Sequence, residues 1–371
     1  MPLNITVPGS DLIRVLAAAE KAVSRKPTFA VLGNVLVEAK DGAVTVSATD
    51  TEIAVVGGLR PSTMSISNGS VTLPASTLLA MIRSLPPGEV VIAETDAGAT
   101  LSGSGFRAKL QTLPVADFPS LATVPADGGV AINRAWLRDA VLKTRFATKQ
   151  EDTRAFMAGA LFEAKADGQR TRIVATDGHR LAIADGPPVG DVPDAILPVK
   201  TLNALAAILD GDGTDVLYTR GENHLFFKAG ENVIVSRLID GQFAAYERVL
   251  PKTDDALAME LDRESLLAAA RRAGLVADQT TRKVALGFAA NALNVTTQSA
   301  SIGDAAETIT ATYAGPTLQV GLNVSYLTDF LEAAGTEKIR IQPGKDERSQ
   351  VLMSAVGDNV AYRYVIMPVV L

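Results

Sequence analysis

Apolar residues along this chain follow two alternating periods, and the alternation itself repeats. From Pro8 to Ser24 (PGSDLIRVLAAAEKAVS) they fall three and four apart. Leu12, Val15, Leu16, Ala19 and Val23 form the inward stripe of an amphipathic helix that Ser10 or Asp11 is expected to cap. Strand-like runs follow at Phe29–Ala39 and Ala43–Ala48 around an Asp41-Gly42 turn, glycine accepting the positive φ that a type I′ hairpin demands. The tripeptide Ala48–Asp50 (ATD), a further strand, a short helix from Pro74 (PASTLLAMIRSLP) and a Pro-rich exit near Leu121 complete the unit.

This order recurs. Arg134–Thr148 predicts the first helix of a second unit, with Leu137, Ala140, Val141 and Thr144 facing inward. ATD returns at Ala175–Asp177, so that Thr49 and Thr176 stand 127 residues apart, and the short helix returns from Pro198, 124 residues after Pro74. A third unit opens at Leu261–Gly274, carries its second helix at Asn323–Ala334 and closes with AYRYVIMPVVL. Near-constant spacing predicts three similar domains, 1–125, 126–253 and 254–371, joined by Pro/Asp/Gly-rich stretches near Thr123–Gly129 and Pro251–Ala256. Helices and strands mix without strict βαβ alternation, which predicts an α+β fold with mainly antiparallel sheets.

Composition narrows the function. The 371 residues are 47% hydrophobic and 20% charged, a folded globular profile. No apolar run approaches the ~18 residues of a spanning helix, and the start, MPLNITVPGS, lacks a basic signal region. With no cysteine, a reducing cytoplasm is the expected home, with no membrane association. Two histidines, His179 and His224, no cysteine and no DxDxDG-like loop give no reason to expect a metal or other cofactor. The net charge of −6 alone disfavours tight nucleic-acid binding, so the distribution of charge becomes the question.

Arg172–Leu181 (RIVATDGHRL) reads as a strand, a two-residue Asp177-Gly178 turn and a returning strand, which brings His179, Arg180 and Leu181 beside Thr176. That set suits either a catalytic corner or the rim of a peptide groove. Catalysis would need a nucleophile and an oxyanion donor. The chain has no GxSxG elbow, HExxH helix, P-loop or cysteine nucleophile, so no catalytic residue is assigned.

Several segments together resemble the family of bacterial DNA polymerase III beta subunits, the replicative sliding clamps: Lys26–Ala39, Thr112–Leu121, Val174–Ala182, Leu238–Pro251, Asn323–Leu327 and Tyr364–Pro368. The resemblance runs from about Ile5 to Leu371 in the family's order. It implies a non-enzymatic, cofactor-free processivity factor with three clamp domains per chain. Two chains close head-to-tail into a six-domain ring, with helices lining the hole and sheets outside. The ring encircles duplex DNA without regard to sequence. It tethers the polymerase III alpha subunit, other polymerases and repair proteins through short linear peptides, and a clamp loader opens and closes it.

By that resemblance the peptide groove lies between the second and third domains. Met157, Leu181, Val249, Val365, Met367 and Pro368 supply an apolar trough, and His179, Arg180, Arg248, Asn323 and Tyr326 supply polar groups. Thr176, Gly178, Ala244, Ile366, Val369, Val370 and Leu371 complete the set. The chain departs from the family pattern at its terminus, MPVVL in place of the common MPMRL, at Ala244 in place of a proline, and at Thr281 in place of an aromatic. These changes imply a smaller, less cationic groove. For the dimer interface the resemblance points to an edge strand near Ala108 and Leu110 beside Leu275 and Val276 of the other chain.

Basic residues are spaced to suit a DNA channel. Arg14, Lys21 and Arg25 stand at i, i+7 and i+11 opposite the apolar face of the first helix, and Arg138, Arg145 and Lys149 repeat that spacing in the second unit. Lys26, Gln150, Arg154 and Lys200 lie close to these elements. Ordinary solvated helix faces would give the same stripes. Contacts of this kind hold phosphates and read no sequence.

Overall fold

The computed structural model describes residues 2–24, 26–59, 66–125, 128–149, 155–164, 170–190, 192–251, 257–357 and 361–371. Arg25, Gln150 and Arg154, expected in the channel, lie outside them. The helices are α1 (Gly9–Ala19), α2 (Ala75–Ser84), α3 (Arg134–Thr144), α4 (Val199–Ile208), α5 (Arg263–Val276) and α6 (Val324–Ala334). Among the described residues every sheet pairing is antiparallel, where the mixed α+β pattern predicts mainly antiparallel sheets. Among the described residues no helix is long and apolar enough to cross a membrane.

The chain packs as two compact units, Met1–Arg138 with Lys200–Leu238, and Asp139–Val199 with Ile239–Leu371. The first unit holds a five-stranded sheet that ends at Phe106–Leu110, and an eight-stranded sheet. At the centre of the larger sheet, Ile53–Leu59 from the first repeat pairs with Asn232–Arg237 from the second, Val56 opposite Val233 and Ala54 opposite Val235. Helix α1 lies directly on Ile53–Leu59. A Cβ at Gly57 would come within 2.3 Å of Val15 Cγ1, so the close approach requires glycine.

The second unit repeats the plan. Its eight-stranded sheet joins Arg180–Gly186 of the second repeat to Tyr362–Ile366 of the third, in the register Leu181 opposite Val365 and Ala182 opposite Tyr364. A four-stranded sheet runs in the order Gly303–Thr310, Ala292–Ser299, Lys283–Ala289, Leu318–Asn323. In both units the sheet passes from one repeat into the next without a break.

Of the predicted helical stripes, Leu12, Val15, Leu16 and Ala19 on α1 and Leu137, Ala140, Val141 and Thr144 on α3 are buried, whereas Val23 lies beyond the helix and is half-buried. Several boundaries differ from the pattern. No side chain caps α1; its N-cap is Pro8, and the Gly9 N–H donates to Gly88 O at 2.8 Å. The helix ends at Ala19, followed by a 3₁₀ turn over Glu20–Ala22, because Val23 turns extended and Ser24 N–H bonds Leu32 O. Helix α3 stops where Thr144 Oγ1 donates to Ala140 O, and Arg145–Ala147 forms another 3₁₀ turn. The single helical register expected for Arg14 and Lys21, and for Arg138, Arg145 and Lys149, is therefore broken. The strand expected from Phe29 begins at Asn34, after a 3₁₀ turn over Ala30–Gly33 that tucks Val31 and Leu32 against Phe118.

Helices α5 and α6 carry side-chain caps. Asp262 accepts from Ser265 N at 2.7 Å, and Asn323 accepts from Ser325 N at 2.9 Å. Bonds from the Ser265 hydroxyl and N–H hold the Asp262 carboxyl below its usual range. A lowered native pKa gives stability that is complete above the ordinary Asp value, about 4, and is lost as the pH falls through the native value. Asp262→Ala is expected to cost about 1 kcal/mol at neutral pH. In urea unfolding the gap from the parent should narrow as the pH falls through that native value; a gap that stays constant on acidification would show that the carboxylate is not the capping species.

Candidate functional site: an apolar groove on a hairpin loop

Both ATD segments build the same loop, bond for bond. In the second repeat, Thr176 Oγ1 accepts from Gly178 N at 3.1 Å and donates to Arg180 O at 2.7 Å, while Asp177 Oδ1 accepts from His179 N and Arg180 N. In the first, Thr49 Oγ1 accepts from Thr51 N and donates to Ile53 O, while Asp50 Oδ1 accepts from Glu52 N and Ile53 N. Gly178 has φ +89° and its counterpart Thr51 +77°. Asp177-Gly178 is thus not the two-residue turn expected. Thr176 pairs with Leu181 across a longer loop, because the Asp177 carboxylate binds two backbone N–H groups and leaves only the glycine left-handed. Asp41-Gly42 does form the predicted turn, with φ +51° and +75° and Lys40 opposite Ala43.

The second loop is fixed by a buried guanidinium. Arg180 Nε bonds Asp177 Oδ2 at 2.9 Å, its NH2 donates to Phe146 O at 2.6 Å, and its NH1 pairs with Asp329 of α6 and reaches Tyr364 Oη at 3.3 Å. Its plane stands 4.4 Å from the Tyr326 ring centroid. Burial opposes the charge, but Tyr364, Asp329 and Asp177 outweigh it and hold Arg180 above its ordinary range. The expected peptide contact at Arg180 is therefore mostly committed to joining the second repeat to the third. Asp177 is equally committed: with its oxygens on Arg180 Nε and two N–H groups, it is not poised to serve as base partner to His179.

Beside this node lies a cavity of about 210 Å³. Its lining includes the predicted Met157, Thr176, Gly178, Arg180, Leu181, Ala244, Val249, Val365 and Met367. Phe156, Ala245 and Tyr246 also line it and were not foreseen. Tyr246 sits within the quoted exit segment, and an aromatic between two alanines and Arg248-Val249 was the available signal. Its ring packs with Leu161, Val174, Leu181 and Val365. Its hydroxyl donates to Glu163 Oε2 and accepts from Arg172 NH1, each at 2.7 Å. Burial, then the Glu163 bond, pushes this phenol up, so it stays neutral. Arg172, nearly fully buried, bonds Asp185 Oδ1 at 2.5 Å.

Other predicted groove residues lie outside this lining. His179 is exposed and stacks on Tyr326, with ring centroids 6.4 Å apart. Arg248 is exposed, and Asn323 is occupied as the cap of α6. Ile366 is fully buried, because alternation along the strand turns it away from the face that Val365 and Met367 share. Pro368 leads into a tail whose Val369 N–H bonds Gly321 O at 2.8 Å, so Val369, Val370 and Leu371 run toward the Leu318–Asn323 strand.

Among the expected channel residues, Arg14, Lys21, Lys26 and Lys149 are exposed, and Arg145 is half-buried. Arg138 pairs with Asp210 at 2.7 Å. Lys200 is bonded by Asp50 at 2.6 Å and Glu52 at 2.8 Å, so α4 clamps the first ATD loop much as Asp329 of α6 clamps the second. Ala108 and Leu110 lie on the edge strand Phe106–Leu110. Leu275 is 78% exposed at the end of α5, next to half-buried Val276. Among the described residues no cluster of three or more histidine or acidic side chains is arranged to hold a metal.

Comparison with known proteins agrees along the whole chain. Family profiles of the DNA polymerase III beta subunit match as its N-terminal domain over residues 3–122, its central domain over 131–245 and its C-terminal domain over 247–370. A beta sliding clamp of Salmonella typhimurium is 31% identical over 369 residues, covering 99% of each chain. A DnaN sliding clamp (DNA polymerase III subunit beta) from Pseudomonas aeruginosa, crystallised bound to griselimycin, is 31% identical and superposes with a TM-score of 0.87 over the full length of both chains. The corresponding clamp from Bartonella birtlesii, also bound to griselimycin, is 29% identical with a TM-score of 0.88, again over both full lengths.

The Arg180 node generates a stability test. Arg180→Met leaves Asp177 and Asp329 without their cation, and a loss of about 3 kcal/mol is expected from denaturant midpoints. Adding Asp177→Asn, which removes the stranded charge but keeps an oxygen for the loop N–H groups, should recover part of that loss. No recovery would mean that Arg180 acts through packing alone.

Proposed function

The chain belongs to the DNA polymerase III beta subunit family, the beta sliding clamps, and from that membership we propose which of its residues do the work. The protein is a non-catalytic processivity factor, a homodimeric ring of clamp domains around duplex DNA that binds the replicative polymerase and the clamp loader. In our reading the three domains span 1–125, 126–253 and 254–371, the protein is cytoplasmic, and other polymerases and repair proteins use the same groove.

The cavity around Leu181, Tyr246, Val249, Val365 and Met367 is the peptide site. The observation that carries this assignment is a small apolar hollow floored by an anchored aromatic ring on the strand joint of repeats two and three. It suits one or two apolar side chains of a linear peptide, with adaptable Met157 and Met367 at its walls. His179, Arg248 and Tyr326 serve as its polar border, and Thr176, Gly178 and Ala244 as part of its wall.

Two sheet edges support the proposed closure. Ile53–Leu59 and Arg180–Gly186, the strands that follow the ATD loops, each pair with the last strand of the next repeat. The strand in the same position of the third repeat, Gly303–Thr310, and the last strand of the first, Phe106–Leu110, each lie at the end of a sheet with no such partner in the chain. Pairing them between two chains satisfies both edges and covers Ala108, Leu275 and Val276, beside Leu110, which the single chain already buries. Arg272 of α5 bonds Glu307 on that open strand, which sets Leu275 near the edge.

For the channel we retain Arg14, Lys21, Lys26, Arg145 and Lys149 as phosphate-facing groups, with Arg138 and Lys200 partly neutralised by their acids and Arg25, Gln150 and Arg154 as further members. A protein with net charge −6 that holds DNA by enclosure needs only weak phosphate contacts, because strong ones would oppose sliding.

Two outcomes are expected. The protein loaded onto nicked circular duplex should survive a high-salt wash and escape once the circle is cut, and loss at equal rates from both forms would overturn enclosure. Leu275→Asp should halve the solution mass measured by sedimentation; an unchanged mass would move the interface elsewhere.

A further inference from the structure

We propose that Gly321 is a positioning residue for the groove, holding the carboxyl-terminal tail that fixes Met367 in the wall. This inference rests on the assignment of the cavity as the peptide site. Met367 hangs between two backbone clamps. Its own N–H bonds His179 O at 2.9 Å, and two residues later Val369 N–H bonds Gly321 O at 2.8 Å. Pro368, between them, has no N–H and a restricted φ, so the short bridge has little freedom. Lys283 Nζ adds a bond to Val370 O at 3.3 Å. The tail therefore docks on the outer side of Leu318–Asn323, whose other side pairs with Lys283–Ala289.

Glycine is required here by proximity, not by backbone conformation. Gly321 is not among the left-handed residues and sits in the strand opposite Ala285. A Cβ on it would lie 2.3 Å from Val369 O and 2.9 Å from Leu371 Cδ2. The nearer atom is backbone, so no rotamer change relieves the contact and the tail must leave the strand. Alanine itself fits the strand without strain, which separates an effect on the tail from an effect on folding.

The test compares parent, Gly321→Ala, a chain ending at Pro368, and the two changes combined, with Val249→Asp as a groove control. Amide exchange at Val369 reports docking, and surface plasmon resonance reports binding of the polymerase III alpha subunit from the same organism. Gly321→Ala should abolish Val369 protection and weaken binding about tenfold, the scale of losing one apolar anchor. Solution mass and unfolding midpoint should stay near the parent's. In the shortened chain Gly321→Ala should have no further effect, since the tail is already gone. Unchanged protection and binding in Gly321→Ala, or an equal added loss in the shortened chain, would overturn the inference. Failure of Val249→Asp to weaken binding would instead overturn the groove assignment on which it rests.

Discussion

An open sheet edge is the constraint on which this structure rests. Each repeat offers a strand whose outward N–H and C=O groups its own sheet does not satisfy, and leaving such a row unpaired invites uncontrolled association. The fold answers twice by running the sheet on into the next repeat, at Ile53–Leu59 with Asn232–Arg237 and at Arg180–Gly186 with Tyr362–Ile366. Charge then locks each joint: Lys200 across the first ATD loop, and Arg180 with Asp329 across the second. Backbone pairing makes the joints, and the ion pairs tie the loop of one repeat to a helix of the next.

Much of this was legible in the chain. The threefold spacing, the inward stripes of α1 and α3, and the antiparallel character follow from periodicity, because burial of an apolar face dominates these elements. Two of the Asp-Gly pairs, Asp41-Gly42 and Asp177-Gly178, mark where legibility stopped. Asp41 and Gly42 both adopt positive φ, whereas Asp177 is diverted by bonds to its own loop and to Arg180. A dipeptide signal reports backbone preference but not a distant guanidinium that competes for the carboxylate. Helix ends were overrun for the same reason: Ser24 pairs with Leu32, and the Thr144 hydroxyl bonds back to Ala140.

The groove was half legible. The family resemblance pointed to it, since the apolar pattern alone would assign these residues to core, yet strand alternation buries Ile366 and the tail's bond to Gly321 carries Val369–Leu371 toward Leu318–Asn323. Two polar residues that the resemblance marks as contacts, Arg180 and Asn323, are occupied as structural lock and helix cap. Such a division suits a protein that performs no chemistry. Around the apolar hollow, charged groups hold shape, Arg180 at the loop and Arg172 beneath the Tyr246 ring.

Tyr246 joins the two roles in one side chain. Its ring floors the hollow while its hydroxyl, wedged between Glu163 and Arg172, closes a buried charge network beneath. Replacing it would take from buried Arg172 one of its hydrogen-bond partners and leave Asp185 to hold the guanidinium, so change at this hollow is easier at exposed Val249 than at its floor. The floor of the hollow is thus the part of its wall least free to drift.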